Sequence, residues 1–260
     1  MRAGGGMSRV SRPEGHDVLA APERDPAVTA TVLALTAVVL ALTAALFAAV
    51  ADHSLLAHIQ RLDDAWLRLM ISGRSAPVTA LAKVLNALGL VYVTLPVRIV
   101  IVGYLALRRR WWRLAAFAGA VVLSEILIGT LKGVYHRARP PDSLVTTTGA
   151  SFPSGHAIAA SVTVVAAVIA LVPPGRRRIA WATVAAGFSV LMGLSRAYLG
   201  AHWLSDAIAG VLLGTSCALL AALVVGWIQR RWGAPRRRPA APPPVPDTAR
   251  PDTARPADRL

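Results

Sequence analysis

Residues 28–50 read VTATVLALTAVVLALTAALFAAV, an uninterrupted run without a single charged side chain. About 20 such residues in an α-helix are enough to cross the hydrocarbon core of a bilayer. The run is longer than the apolar core of a signal peptide and lies well inside the chain, so we expect it to be retained. The sequence therefore predicts a membrane-spanning helix here.

The composition of the whole chain agrees with a membrane protein. Of 260 residues, 55% are hydrophobic and 16% are charged, against roughly 25% charged in an ordinary soluble domain. A net charge of +15 would suggest nucleic acid in a soluble protein. Here the arginines stand in short clusters between apolar runs, so we expect a lipid bilayer as partner and no nucleic acid.

Five further apolar runs follow the first, at about 85–107, 112–134, 155–173, 179–199 and 204–228. All are expected to be helices, because an isolated strand cannot satisfy its backbone groups in lipid. The sequence thus predicts an all-α, polytopic membrane protein with a six-transmembrane-helix bundle over residues 28–230. A flexible segment, 1–27, precedes the bundle, and a disordered tail rich in proline and arginine, 231–260, follows it.

The arginine clusters orient the predicted bundle. They occupy residues 108–113, 176–178 and 230–238, which fall on one side of a six-span protein. Because basic loops favour the cytoplasm, we expect a protein of the cell membrane with both termini cytoplasmic. Loops 51–84, 135–154 and 200–203 then lie outside the cytoplasm, and the first of them carries apolar residues at helical spacing, typical of an amphipathic helix at the membrane surface.

Three stretches place ionisable residues where the spans end. They begin at Lys132, Ser151 and Ser195 and read KGVYHRARP, SFPSGH and SRAYLGAHWLSD. Ionisable groups at membrane depth are costly and by default indicate a functional site. All three stretches lie at the extracytoplasmic ends of helices in the predicted topology, so we expect one site there.

The residue types in these stretches suit a phosphate. Lys132, Arg139 and Arg196 bring three cations to one face, and like charges repel unless an anion lies between them. The planar fork of arginine matches phosphate oxygens. Ser154 and Gly155 precede a helix, so the serine hydroxyl and the free backbone N–H groups of the helix start can also hold an anion.

Two histidines supply candidate catalytic groups beside this anion site. His202 and Asp206 are four residues apart and share a helix face, so the carboxylate can accept from one ring N–H and leave the other nitrogen as a nucleophile. His156 is available as a general acid for a leaving oxygen. No set of metal ligands is evident, and we expect neither a metal nor another cofactor.

These motifs, in this order, resemble the three-part signature of the type-2 phosphatidic acid phosphatase family. Its members include integral-membrane lipid phosphate phosphatases, which are related to soluble bacterial acid phosphatases and vanadium haloperoxidases. The resemblance covers residues 132–206. Every defining position is present: Lys132, Arg139, Pro140, Pro153, Ser154, Gly155, His156, Ser195, Arg196, His202 and Asp206.

The resemblance implies a role for each of these side chains. His202 would attack phosphorus and form phosphohistidine, Asp206 would orient it, and His156 would protonate the leaving alcohol. The phosphoryl oxygens would be held by Lys132, Arg139, Ser154, Gly155 and Arg196, without a metal. The implied substrate is a membrane lipid phosphate or pyrophosphate, of the phosphatidic acid, phosphatidylglycerol phosphate or polyprenyl diphosphate type.

Two other functions remain open at this point. A lipid-linked phosphotransferase would use the same phosphohistidine and pass its phosphate to an acceptor other than water. A non-catalytic lipid-binding or transport protein is the other alternative. A degenerate family member would have lost His202, His156 or Asp206, and a transporter would need inverted repeats or broken mid-span helices.

Six residues outside the core motif positions also carry expectations. His136 and Arg137, at variable positions of the first motif, are interpreted as plain loop residues. Glu125 lies two helical turns before Lys132 and is expected to face the bundle and pair with Arg98. The pattern Gly129-x3-Gly133 favours close helix packing within the bundle, with dimerisation as the alternative.

Overall fold

The computed structural model describes residues 26–232, with side chains from residue 30 onward, as an all-helical protein. The described part contains eight helices: α1 (Pro26–Ala51), α2 (His53–Ser72), α3 (Ala76–Leu88), α4 (Val91–Leu107), α5 (Trp111–Tyr135), α6 (Gly155–Leu171), α7 (Arg176–Tyr198) and α8 (Leu204–Trp232). The predicted all-α fold is confirmed. The flexible segment and the tail fall outside the described residues, apart from 26–27 and 231–232, which belong to α1 and α8.

Helix length and hydropathy give four or five candidate membrane spans in the described residues. In the described residues, α1, α5, α7 and α8 are long and apolar enough to cross a bilayer, and the bent pair α3–α4 makes a fifth candidate. Helix α6 has 17 residues, or about 25 Å at 1.5 Å per residue, which is short of a hydrocarbon core of about 30 Å. The predicted count of six spans is therefore not confirmed, although the protein crosses the membrane several times.

The predicted second span, 85–107, is not one continuous helix. It is interrupted at Gly89 and Leu90, where α3 and α4 meet at an angle of 50°. Leu90 has an extended backbone that starts α4 anew. The break brings Gly89 against the catalytic candidate His156: a Cβ at position 89 would lie 2.7 Å from Cδ2 of that ring. Hydropathy does not register such a break, because glycine leaves the apolar run intact.

The core lies between α5, α6 and α8. The close approach of α6 to α8 depends on two glycines of α8. A Cβ on Gly210 would lie 2.7 Å from the carbonyl oxygen of Ser154, and one on Gly214 would lie 2.6 Å from that of Ile158. The absence of side chains at these two positions lets α6 pack directly on α8. In contrast, nothing in the described chain lies within 4 Å of a Cβ built on Gly129 or Gly133, so the predicted bundle packing at those glycines is wrong.

Arg98 and Glu125 form the expected ion pair in the middle of the bundle. Nη1 of Arg98 lies 2.7 Å from Oε1 of Glu125, and its Nε donates to the hydroxyl of Thr163 at 2.9 Å. The arginine is buried, but the Glu125 side chain is 53% exposed. The expected pairing is therefore present, but Glu125 does not face fully into the bundle. The pair forms because the long side chain of Arg98 reaches from α4 across to α5.

The antiparallel helices bring all three motifs to one end of the bundle. That end contains the C-termini of α5 and α7 and the N-termini of α6 and α8. The opposite end holds the described arginines of the basic clusters: Arg113 at the start of α5 donates to the carbonyl of Ala170 at the end of α6. Arg178 at the start of α7 donates to the carbonyl of Val172. The site and the basic clusters are thus at opposite ends.

We predict that Gly210→Ala destabilises the protein, because its new methyl group collides with backbone of α6. Overpacking of this kind costs about 1–3 kcal/mol, so the midpoint of thermal unfolding in mild detergent should fall. Gly129→Ala is the matched control, because its Cβ meets open space and alanine favours the helix. Equal unfolding midpoints for the two variants would contradict the described α6–α8 contact.

Candidate active site

His202 lies in the short connection between α7 and α8 and is buried, with 3% of its surface exposed. Its Nδ1 lies 2.8 Å from the carbonyl oxygen of Ser151. A carbonyl can only accept a hydrogen bond, so Nδ1 carries the proton and Nε2 of the neutral ring keeps its lone pair. Burial lowers the pKa of His202 from 6.5 to about 4, and the neighbouring Asp206 only partly opposes this shift. At neutral pH the ring is uncharged, with its lone pair on Nε2.

Asp206, in the first turn of α8, is completely buried and fully hydrogen-bonded. Its Oδ2 accepts from the Ser151 hydroxyl and from the backbone N–H of Trp203 at 3.0 Å. The same oxygen lies 3.7 Å from Nδ1 of His202. The geometry thus differs from the expected direct ring–carboxylate hydrogen bond: the ring N–H turns to the Ser151 carbonyl, and Asp206 acts on the ring through its charge.

Arg139 reaches the nucleophilic nitrogen from the loop that follows α5. Its Nη1 lies 3.3 Å from Nε2 of His202 and donates to the carbonyl of Ala201 at 2.6 Å. The other donors of the guanidinium bond carbonyls of the loop over residues 148–150. Lys132, at the end of α5, donates to the Ala150 carbonyl at 3.1 Å, which Arg139 also contacts. Two cations of the first motif therefore meet at one short loop beside His202.

Arg196, near the end of α7, is the third cation and is 2% exposed. Its Nη1 donates to the side-chain oxygen of Asn86 in α3, while its Nε is buried and has no hydrogen-bond partner within the described chain. Asn86 is not among the site residues that the sequence predicts. Its only signal was an amide at the start of an apolar run.

The N-terminus of α6 adds three more unsatisfied groups. Ser154 is the N-cap residue, yet its hydroxyl does not cap the helix. Both its Oγ and Nε2 of His156 are buried without a partner among the described residues. The first-turn N–H groups of a helix have no intrahelical acceptor either. Because buried donors are normally paired, this cluster of free donors is complementary to a bound anion.

The structure brings the predicted site residues to the same end of the bundle. His156 is close enough to Arg196, Lys132 and Arg139 for their positive charges to act on it. The described residues contain no group of three or more His, Cys, Asp or Glu side chains arranged to hold a metal ion. The chemistry available from these residues is that of a nucleophile, a proton donor and several anion-binding groups.

The interpretation of Arg137 as a plain loop residue is wrong. It is buried, its Nη1 lies 2.6 Å from Oδ1 of Asp206, and its Nη2 lies 2.7 Å from Oδ2 of Asp63 in α2. The sequence contains an indication that Asp63 is unusual, because this acidic residue lies on the same face of α2 as the buried Leu67. It contains no such indication for Arg137, since that residue lies in a loop without periodicity. His136 is exposed and ends α5 with a left-handed backbone.

We predict that His202 makes the stability of the protein depend on pH. Its folded-state pKa of about 4 lies below the ordinary 6.5, so the unfolded chain takes up a proton first as the pH falls. The contribution is fully present above pH 6.5 and is lost as the pH falls toward about 4. The unfolding midpoint of the parent should therefore drop more over this range than that of His202→Asn. Parallel pH curves for the two proteins would refute this.

Comparisons with known proteins agree with this architecture. A model described as PAP2 superfamily matches residues 113–230, and no curated protein sequence matches the chain. A transmembrane PAP2-type phosphatidylglycerolphosphate phosphatase from Bacillus subtilis is similar in structure, with a TM-score of 0.60 and 25% identity over 78% of this chain and 98% of that one. LpxE from Aquifex aeolicus is similar in fold, with a TM-score of 0.50 and 22% identity over 60% of this chain and 91% of that one. The region 113–230, which the PAP2 superfamily model matches, contains all three motifs.

Proposed function

We propose that this protein is a phosphatase that removes phosphate from a membrane lipid phosphate or pyrophosphate through a phosphohistidine on His202, without a metal. The observation that carries the proposal is the state of His202. A neutral ring, with its proton fixed on Nδ1, directs the lone pair of Nε2 toward a cluster of cations and unpartnered donors.

In the first half-reaction, Nε2 of His202 attacks phosphorus and the bond from phosphorus to the leaving oxygen breaks. Charge remains on the three phosphoryl oxygens throughout phosphoryl transfer, so preorganised donors supply most of the rate. Lys132, Arg139 and Arg196 are proposed to hold these oxygens, together with the Ser154 hydroxyl and the N–H of Gly155. Arg139 must exchange its contact with Nε2 for the phosphate, because the two compete for the same place.

His156 is proposed as the general acid and then the general base. The negative charge of a bound phosphate favours the protonated imidazole, which gives its proton to the departing alkoxide. In the second half-reaction, the neutral His156 accepts a proton from water while the water oxygen attacks the phosphohistidine. The bond from phosphorus to Nε2 breaks, inorganic phosphate leaves, and His202 returns to its neutral form. The positive charge that the ring develops during transfer lies next to Asp206.

The lipid nature of the substrate is supported by the position of the site. The catalytic residues lie at the helix ends of a protein that crosses the membrane several times, where the headgroup of a lipid would lie. The Bacillus subtilis structural relative is itself named a phosphatidylglycerolphosphate phosphatase. We infer that phosphatidic acid, phosphatidylglycerol phosphate and polyprenyl diphosphate are the substrate types to test.

We also propose that the site faces away from the cytoplasm in the cell membrane. The basic clusters lie at the opposite end of the helix bundle from His202, and basic residues favour the cytoplasmic side. Both chain termini would then be cytoplasmic.

The proposal predicts release of inorganic phosphate by the purified protein in mild detergent with EDTA present. The panel contains phosphatidic acid, phosphatidylglycerol phosphate, polyprenyl diphosphate and a soluble aryl phosphate. His202→Ala should abolish release, because the nucleophile is lost. His156→Ala should slow it on the order of 100-fold, within the range of general acid–base catalysis, and less for an aryl phosphate, whose leaving group needs little protonation.

Release that persists in His202→Ala would refute the histidine mechanism, and release that EDTA abolishes would refute its independence of metal. A protein that takes up phosphate from the substrate but releases none to water would instead be a phosphotransferase. Gly129→Ala serves as the active control, because its new methyl group meets open space and displaces no contact described for the site.

A further inference from the structure

A buried network joins helix α2, which lies outside the three motifs, to the candidate catalytic centre. Asp63 of α2 is 2% exposed. Its Oδ1 accepts from the backbone N–H of Ser205 at 2.9 Å, and its Oδ2 accepts from the Ser205 hydroxyl at 2.6 Å. Ser205 immediately precedes Asp206 at the start of α8. Asp63 thus binds the backbone N–H and the hydroxyl of Ser205 in the first turn of α8, the helix that carries Asp206.

Arg137 bridges the carboxylates of Asp63 and Asp206. Nη1 donates to Oδ1 of Asp206 at 2.6 Å, and Nη2 donates to Oδ2 of Asp63 at 2.7 Å. Gln60, one turn before Asp63 on α2, accepts a further bond from Nη2 at 2.7 Å. With Ser151 and Trp203 on its Oδ2, Asp206 is held at both oxygens, so its plane and its distance from His202 are fixed.

The charges in this network explain why a second carboxylate is needed. Arg137 paired with Asp206 alone would cancel the negative charge that opposes the cationic ring of His202 during transfer. With Asp63 sharing the guanidinium, the three groups retain one net negative charge in a buried place, where charge acts strongly. Arg137 can then fix Asp206 and leave it able to stabilise the ring.

We propose that Asp63 is a positioning residue of the catalytic centre: by sharing Arg137, it lets that arginine orient Asp206 without neutralising it. This inference rests on the proposed phosphohistidine mechanism. It also extends the functional unit to α2, which lies outside the region 113–230 that matches the PAP2 superfamily.

The test compares Asp63→Asn, Arg137→Gln and the double variant. Asparagine keeps the shape of Asp63 and leaves Arg137 paired with Asp206 alone. We expect kcat to fall about 10- to 100-fold, as for loss of a charged hydrogen-bonding partner, with KM within about threefold. The unfolding midpoint should fall as well, because both oxygens of Asp63 accept hydrogen bonds and the amide nitrogen of asparagine cannot accept one. Adding Arg137→Gln to Asp63→Asn should raise kcat again, because Asp206 regains its net negative charge.

Turnover of phosphatidic acid and of the aryl phosphate is measured beside binding of orthovanadate, a mimic of pentacoordinate phosphorus. Binding is read from the vanadate-dependent rise of the unfolding midpoint, and should weaken in Asp63→Asn and recover in the double variant. The matched control is Arg98→Gln/Glu125→Gln, which removes another arginine–carboxylate pair and should leave kcat and vanadate binding unchanged.

An Asp63→Asn protein with the kcat and vanadate affinity of the parent would overturn the proposal. A double variant less active than Asp63→Asn would do the same, because it would show that Arg137 and Asp63 serve only the fold. If the parent binds vanadate but hydrolyses no substrate of the panel, the proposed function fails. The vanadate affinities of the variants then still test the role of Asp63.

Discussion

The buried carboxylate of Asp206 is the constraint on which the rest of the site depends. A charge without solvent contact has to be bonded at every available position, and the partners of Asp206 come from separate parts of the chain. They are the Arg137 guanidinium, the Ser151 hydroxyl and the Trp203 N–H, while its own carbonyl accepts from the N–H of Ser154. Satisfying this one aspartate therefore assembles the loop after α5, the start of α6 and the start of α8 around His202.

The opposite requirement governs the other side of the histidine. Lys132, Arg139 and Arg196 converge there, and their mutual repulsion is relieved only in part by backbone carbonyls and by Asn86. The unpartnered Ser154 hydroxyl and Arg196 Nε mark where further acceptors fit. His202 thus lies between a fixed negative charge at Nδ1 and a positive, donor-rich space at Nε2, an arrangement suited to moving a phosphoryl group onto the ring.

The parts of the site that depend on spacing along single helices could be predicted from the sequence. The parts that depend on contacts between distant segments could not. His202 and Asp206 are four residues apart, and helix polarity brings the three motifs to one end, so the sequence was sufficient for these. The break at Gly89 brings that residue against His156, and Arg196 meets Asn86 from another helix. Neither contact leaves a periodic signal in the sequence. Arg137 acquires its role from Asp63, 74 residues away in the chain, so its loop position alone suggested no function. The same limit explains the error at Gly129 and Gly133, since a small-residue pattern does not specify which face is buried.

The most direct test of the account is to trap the phosphorylated enzyme. The protein is mixed with the most rapidly hydrolysed substrate of the panel, labelled with ³²P in the phosphate that leaves, and is quenched within the first turnover. The phosphohistidine mechanism predicts an acid-labile, alkali-stable label on the peptide that contains His202 and no label in His202→Ala. Label should accumulate in any variant that hydrolyses the phosphohistidine slowly. Rapid phosphate release with no label on His202, or with label on a different residue, would contradict it.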